Sequence, residues 1–436
     1  MKLLYAVVNQ SSYAMKTDGD TWSLLSSDVE VTPSYGFESP DDDNRWIFEH
    51  CGIRVYRSYL YFANAYCVAV FEPYGETALT DGYEWVAAER LASCEAEGIS
   101  AIFHAQNGFK SKTAPWLGEG SITAYLNWAE TVLTGMGYTV QRAIQQVKNA
   151  YVSTIFRIPT DAGAMYLKIA SSVYVNSAAV EQQLTESMGG MPEFVAVSPD
   201  GYAAITKEMP GQDCQSGNVA KYRSWLEKWS QMQAKAAGEN IYGLIDCSPQ
   251  KLLAGVSGFE QQVSHILKLI NRPLPEQDRR MLNIKLADVR TALEQLCKYP
   301  IPNTLCHADI RPGNVRIMEE DEVLYDWGMA FYGHPFYDAL HFLHVVRRQL
   351  TEGQKAEIID VYLSQWEHCG DKHMLRDAYL QAERCMDYFM LTADCRWVAE
   401  ILDACGGIPP KGTIDNWLLG KRFYYFDRVL HRFISE

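Results

Sequence analysis

The chain has no excess of positive charge: 39 Lys and Arg stand against 54 Asp and Glu, a net −15. That shortage argues against a nucleic-acid partner, whose phosphates demand a basic face. Its 11 cysteines form no C-x-x-C pair and no zinc-type spacing, which excludes the common zinc modules and dithiol redox motifs. Most of them, Cys67 and Cys306 included, sit in apolar runs where a free thiol behaves as a small buried hydrophobe. A reducing compartment is expected. No window approaches 18 uninterrupted apolar residues, so no membrane span is predicted. The opening MKLLYAVVNQ holds too short an apolar run for a signal peptide, and a cytoplasmic location is expected. Repeats and low-complexity tracts are lacking as well.

What is present fits a globular chain: 47% apolar and 21% charged residues, at a length of 436 that predicts two or three domains. The acidic excess is uneven. Through Gly120 there are 8 basic and 17 acidic residues, and beyond it 31 and 37. Bulk charge therefore says little about whether a substrate is cationic.

Residues 1–112 are rich in strand formers at Leu3 to Val8, Thr21 to Leu25 and Ile53 to Phe71, and Tyr83 to Glu97 reads as a helix. A separate small α+β domain is predicted there, with 113–120 as a linker. Ser121 to Met136 has apolar residues at helical spacing. Strands are predicted at Val140 to Val147, Tyr151 to Ile158 and Ala164 to Ile169, then a helix at Ser177 to Met188. Two more strands come next, Phe194 to Val197 and Ala203 to Glu208. From Pro210 the pattern is nearly all helical, with apolar stripes at Tyr222 to Ala237 and Phe259 to Ile270. A short helix is predicted at Val289 to Leu296, and three more in Tyr337 to Glu436.

The stretch from Thr304 to Leu340 carries the chemistry. Asp309 is followed five residues later by Asn314, and Asp326 enters a Trp-Gly turn twelve residues further on. An Asp and an Asn at that spacing suit phosphoryl transfer, where the Asp accepts the proton of an attacking hydroxyl and the Asn binds magnesium. The later Asp, delivered by the apolar strand Glu322-Val323-Leu324-Tyr325, takes the place of a second metal ligand.

The run HADIRPGN, His307 to Asn314, with Asp326-Trp327 after it, resembles the aminoglycoside phosphotransferase-type kinases, whose members act on aminoglycosides, choline and homoserine. The resemblance covers about residues 121–436. It implies a bilobal protein-kinase-like fold, with a small β-rich lobe at 121–209 and a helical large lobe at 210–436. It further implies ATP and Mg²⁺ as cofactors and a small-molecule hydroxyl as acceptor, an antibiotic or a metabolite. Asp309 then takes the role of catalytic base, and Asn314 and Asp326 those of metal ligands. Arg311 is placed to fork hydrogen bonds onto the transferring phosphate, and His307 to hold the loop. Lys168, in MYLKI, is similar to the lysine that grips the nucleotide phosphates. Glu181 is its expected carboxylate partner, with Glu186 as the runner-up and Lys207 as the weaker alternative lysine.

The sequence departs from a protein kinase at three points. No G-x-G-x-x-G precedes Lys168, where Lys148-Asn149-Ala150-Tyr151-Val152-Ser153 stands. Trp327-Gly328 replaces Phe-Gly. Asp338 follows Asp326 by only twelve residues, which leaves no room for a protein-substrate activation segment. Asp338, His341, His344 and nearby His334 have metal-like spacing but apolar neighbours, so a structural role is expected for the Asp. Tyr388, Phe389, Trp397, Trp417, Tyr424 and Tyr425 are candidates for a cation cage, with helix packing as the commoner use. A regulatory pseudokinase is the alternative function; its usual mark, a missing lysine, base or metal ligand, is not found. Oligomeric state stays open.

Overall fold

The computed structural model describes residues 2–435 apart from 11, 19–20, 24, 31–39, 63–65, 92–110, 119, 142, 151, 174–177, 189–191, 215–217, 239, 241–242, 320–321 and 411–412. The chain divides into two compact units. One comprises residues 1–174, 193–208 and 401–420, and the other 175–192, 209–400 and 421–436.

The first unit holds two sheets. In the first sheet, strands run in the order Thr21–Ser23, Ser12–Asp18, Lys2–Asn9, Tyr66–Pro73 and Val55–Phe62, with Leu25–Glu30 and Tyr83–Ala87 paired at its side. Lys2–Asn9 and Tyr66–Pro73 run parallel and are nearly all apolar, the pattern of strands covered on both faces. Leu3, Tyr5, Val7, Cys67, Ala69 and Phe71 face the helix Asp41–Cys51. Leu4, Ala6, Val8, Val68 and Val70 join a second core with the helix Ser121–Gly135 and with Phe156, Ile158, Leu167 and Ile169 of the other sheet. Residues 1–91 and the second sheet therefore share one apolar core. The segment expected as a linker lies within it: Thr113, Ala114, Trp116 and Leu117 are all buried.

The second sheet has five antiparallel strands, ordered Phe194–Val197, Ala203–Lys207, Gly163–Ala170, Ser153–Thr160 and Gln145–Ala150. Four of these fall within three residues of their predicted bounds, and Gln145–Ala150 begins five residues later than predicted. The predicted helix from Tyr83 is corrected by the structure. Tyr83–Ala87 is a strand paired antiparallel with Ser12–Asp18, because Tyr83, Trp85 and Val86 gain more as cross-strand neighbours than helix propensity offers. Only Ala88–Leu91 is helical, and 92–97 lie outside the described residues.

The second unit is mainly helical. Val219–Lys235 begins at an Asn218 cap that accepts from the Lys221 N–H, and it buries Tyr222, Trp225, Leu226 and Trp229. Phe259–Leu269 buries Val263, Ile266 and Leu267. The short helix expected before the catalytic stretch is the end of a longer one, Glu276–Leu296, whose buried Leu282, Leu286, Val289, Leu293 and Leu296 keep a three-to-four-residue rhythm through a polar sequence. Four helices, not three, occupy the C-terminal part among the described residues: Phe336–Val346, Glu352–Ser364, Lys372–Cys405 and Ile414–Ser435. No helix of the described residues is long and apolar enough to cross a membrane.

A short hairpin, Val315–Ile317 with Glu322–Leu324, is flanked by Gln212–Asp213. Gly211 makes that approach possible. Its φ is +89°, and a Cβ there would lie 2.0 Å from the Ile317 carbonyl oxygen. Gly211→Ala should therefore cost at least about 2 kcal/mol, from left-handed strain and a backbone clash together. Urea unfolding of the variant measures it; an unchanged midpoint would contradict the close approach.

Candidate active site

The strand Thr304–Cys306 is fully buried and delivers the chain to His307. The loop beyond it is anchored by a carboxylate on the helix Phe336–Val346. Asp338, fully buried, accepts from the backbone N–H of His307 at 2.8 Å and of Ala308 at 3.0 Å. It also accepts from Trp229 Nε1 and Gln233 Nε2, each at 3.1 Å. Its place in sequence suggests a structural role; Trp229 and Gln233 as its partners carry no sequence signal. With so many donors on its two oxygens, Asp338 is a loop anchor rather than a metal ligand.

Burial raises the Asp338 carboxyl to about 6, and the N–H donors oppose that rise. A carboxyl that titrates higher in the folded chain than its unfolded value of about 3.9 holds more protons folded than unfolded between the two. Its contribution to stability is thus full below about 4 and is lost as pH climbs through about 6. Turnover should run the other way, because protonation takes an acceptor from the loop N–H groups. Across that window the wild type should lose on the order of 2 kcal/mol relative to Asp338→Asn, while its rate rises. Parallel melting curves and rate profiles check this; equal stability slopes in the two proteins would contradict it.

His307 is buried and holds the loop from inside. Its Nδ1 accepts the Asp309 N–H at 3.2 Å, so the proton sits on Nε2, which donates to the Tyr325 carbonyl at 3.0 Å. Ala308 and Asp326 are two of only four non-glycine residues among those described with positive φ, each at +68°. Such strain gathers where the surroundings hold a side chain in a set direction. Here it falls one residue before Asp309 and at the second candidate metal ligand itself.

Asp309 and Asn314 meet. Asn314 Nδ2 donates to the Asp309 carbonyl at 2.8 Å and to Asp309 Oδ2 at 3.0 Å. Arg311 Nε pairs with the same Oδ2 at 3.2 Å. Both side-chain contacts fall on Oδ2, so Oδ1 is the oxygen left to receive a proton. Asp309 is one-third exposed and Arg311 half exposed, which suits groups that must meet a ligand. Nothing in the sequence signals the Arg311–Asp309 pair.

The hairpin gathers the candidate metal ligands. Val315 stands opposite Leu324, and Tyr325 N–H donates to the Asn314 carbonyl at 3.0 Å. Asn314 and Asp326 are therefore at the same end of the hairpin. Because Asn314 Nδ2 is committed to Asp309, its Oδ1 is the atom free to ligate. One amide oxygen and one carboxylate form an oxygen donor set that fits magnesium, which fills the rest of its shell with water and phosphate oxygens. Among the described residues no group of three or more His, Cys, Asp and Glu side chains could hold a metal by itself.

Lys168 lies in the first unit, half-buried, in register with Ile155 and Ala204. Glu181 is on the helix Ala178–Met188, which packs against the Trp327–Met329 turn after Asp326. The two alternatives have other partners: Glu186 accepts from Gln182 at 2.9 Å, and Lys207 pairs with Glu193 at 2.5 Å. The cage candidates separate. Tyr388, Phe389 and Trp397 are core residues, with Arg422 over the Trp397 ring at 3.4 Å. Tyr424 and Tyr425 are exposed, and the Trp417 side chain lies outside the described ones. His341, unassigned from sequence except as a metal candidate, lies near Asp309 and the Ile310 backbone; burial lowers its pKa against the attraction of Asp309.

Residues 253–374 match the model of the phosphotransferase enzyme family. No curated protein sequence matches the chain. Among solved structures, a choline/ethanolamine kinase family protein from Mesorhizobium loti is 17% identical, with 72% of this chain and 100% of that one aligned at a TM-score of 0.44. Choline kinase from Cryptosporidium parvum is 11% identical, over 72% and 96%, at 0.45. A spectinomycin phosphotransferase in complex with ADP and spectinomycin is 13% identical, over 71% and 97%, at 0.41. The stretch that holds Asp309, Arg311, Asn314 and Asp326 thus falls inside a match to the phosphotransferase enzyme family, the kinship that the His307–Asn314 run resembles.

Proposed function

We propose that this protein is an ATP- and magnesium-dependent phosphotransferase that moves the γ-phosphate to a hydroxyl of a small molecule. Asp309 orients the hydroxyl and takes its proton on Oδ1, while Asn314 holds Oδ2. Asn314 and Asp326 carry the magnesium, which when bound neutralises charge on the phosphate oxygens. On the kinase reading, Lys168 takes the lysine role toward the α and β phosphates and Glu181 the role of its carboxylate. Arg311 is the group that exchanges its carboxylate for the transferring phosphate.

The observation that supports this most is the shared hold on Asp309: one oxygen engaged by Asn314 and Arg311, the backbone pinned through His307 and Asp338. A loop aspartate that only capped a turn would need no such frame. The test is a panel of amino alcohols, hydroxyl metabolites and aminoglycosides with ATP–Mg²⁺, read as ADP release. Acceptor-dependent release supports the proposal. Nucleotide binding with no turnover on any acceptor would favour the regulatory pseudokinase.

A further inference from the structure

Gln146 sits in the strand Gln145–Ala150 at the edge of the five-stranded sheet and is a fully buried polar side chain. Its amide makes both bonds of a missing ladder rung. Oε1 accepts the Arg57 N–H at 2.7 Å, and Nε2 donates to the Arg57 carbonyl at 2.7 Å. Nε2 also reaches Thr154 Oγ1 at 3.0 Å, and that hydroxyl donates to the Lys148 carbonyl at 3.1 Å. Three residues on, Asn149 Nδ2 donates to the Ser58 carbonyl at 3.0 Å.

Both strands bulge at this meeting. The pairing of Val55–Phe62 with Tyr66–Pro73 skips Ser58, and the pairing of Gln145–Ala150 with Ser153–Thr160 skips Val147. A bulge bends its strand and re-aims the side chains beyond it. The Arg57 side is itself fixed: its guanidinium pairs with buried Asp43 at 3.1 Å, and Asp43 accepts from Tyr5 at 3.0 Å. Ser58 donates to buried Glu72, whose other oxygen accepts the Gly120 N–H. Polar groups of the strands Lys2–Asn9 and Tyr66–Pro73 and of the helix Asp41–Cys51 thus lead to Arg57 and Ser58, the two residues that hold the Gln145–Thr160 hairpin.

We infer that residues 1–91 are a working part of the nucleotide site: through Gln146 and Asn149 they set the bulged hairpin over the phosphates, the task that a glycine-rich loop would otherwise perform. This rests on the kinase reading, and it makes Gln146 and Asn149 positioning residues.

The test measures binding of ATP–Mg²⁺, ADP–Mg²⁺ and adenosine to the full-length wild type, Gln146→Leu and Asn149→Ala, each checked for folding by its melting curve. Because the hairpin acts on phosphates, Gln146→Leu should weaken ATP and ADP roughly tenfold, the effect of one or two lost positioning hydrogen bonds, and leave adenosine unchanged. Asn149→Ala, which removes a single bond, should shift ATP in the same direction by a smaller factor, and it decides the matter if Gln146→Leu does not fold. Wild-type affinity for ATP in the folded variants would overturn the inference, as would equal losses for ATP and adenosine. A wild type that binds adenosine and ATP equally well overturns it by a separate route, since the phosphates then have no site.

Discussion

Asp309→Asn should lower turnover by roughly 10²–10⁴-fold, the range typical of a lost general base, and leave the fold and nucleotide affinity close to wild type. Asparagine keeps an oxygen for Asn314 and Arg311 but offers no carboxylate to the incoming hydroxyl. Asp309 is one-third exposed, so little buried structure depends on its charge. The loop-capping alternative predicts the reverse, a lower melting temperature with a proportionate loss of binding. Steady-state kinetics beside a melting curve separate the two. Retention of more than about a tenth of the wild-type rate would remove Asp309 from the base role.

Asp338→Ala should be the most damaging change outside the reacting groups. It strips an acceptor from three buried donors, the His307 N–H, Trp229 Nε1 and Gln233 Nε2, and from the half-buried Ala308 N–H. An unsatisfied buried donor costs about 1–3 kcal/mol, and some of these four will find water or one another. A loss of about 3–5 kcal/mol is expected overall, close to that of breaking a buried charged network, together with loss of activity. Asp338→Asn, which keeps one acceptor, should fall between. If Asp338→Ala melts within about 2 °C of the wild type, well below the shift such a loss implies, the anchor is not what holds the loop.

These residues are legible in the sequence to different degrees, for physical reasons. Asp309, Asn314 and Asp326 stand out because the proposed phosphoryl transfer needs particular oxygens at short, set separations, and the loop and hairpin that carry them are local. The strands of the five-stranded sheet are legible because their alternation and turns are local too. The features that escape depend on distant partners. The apolar runs at Leu3 to Val8 and Cys67 to Phe71 fit strands covered on both faces, yet nothing in them names the five-stranded sheet as one cover. Tyr83 to Ala87 has helix formers around it, but its pairing with Ser12–Asp18 decides its state. The role of Gln146 carries no sequence signal, because its backbone partner Arg57 lies far away in the chain.

The most direct measurement is phosphorus NMR of the full-length protein with ATP–Mg²⁺ and the best acceptor from the panel. A new phosphate monoester on the acceptor, formed in step with ADP and absent with Asp309→Asn, is the predicted result. ATP consumed to free phosphate alone, or ester formed equally well by Asp309→Asn, would contradict hydroxyl-directed transfer by this site.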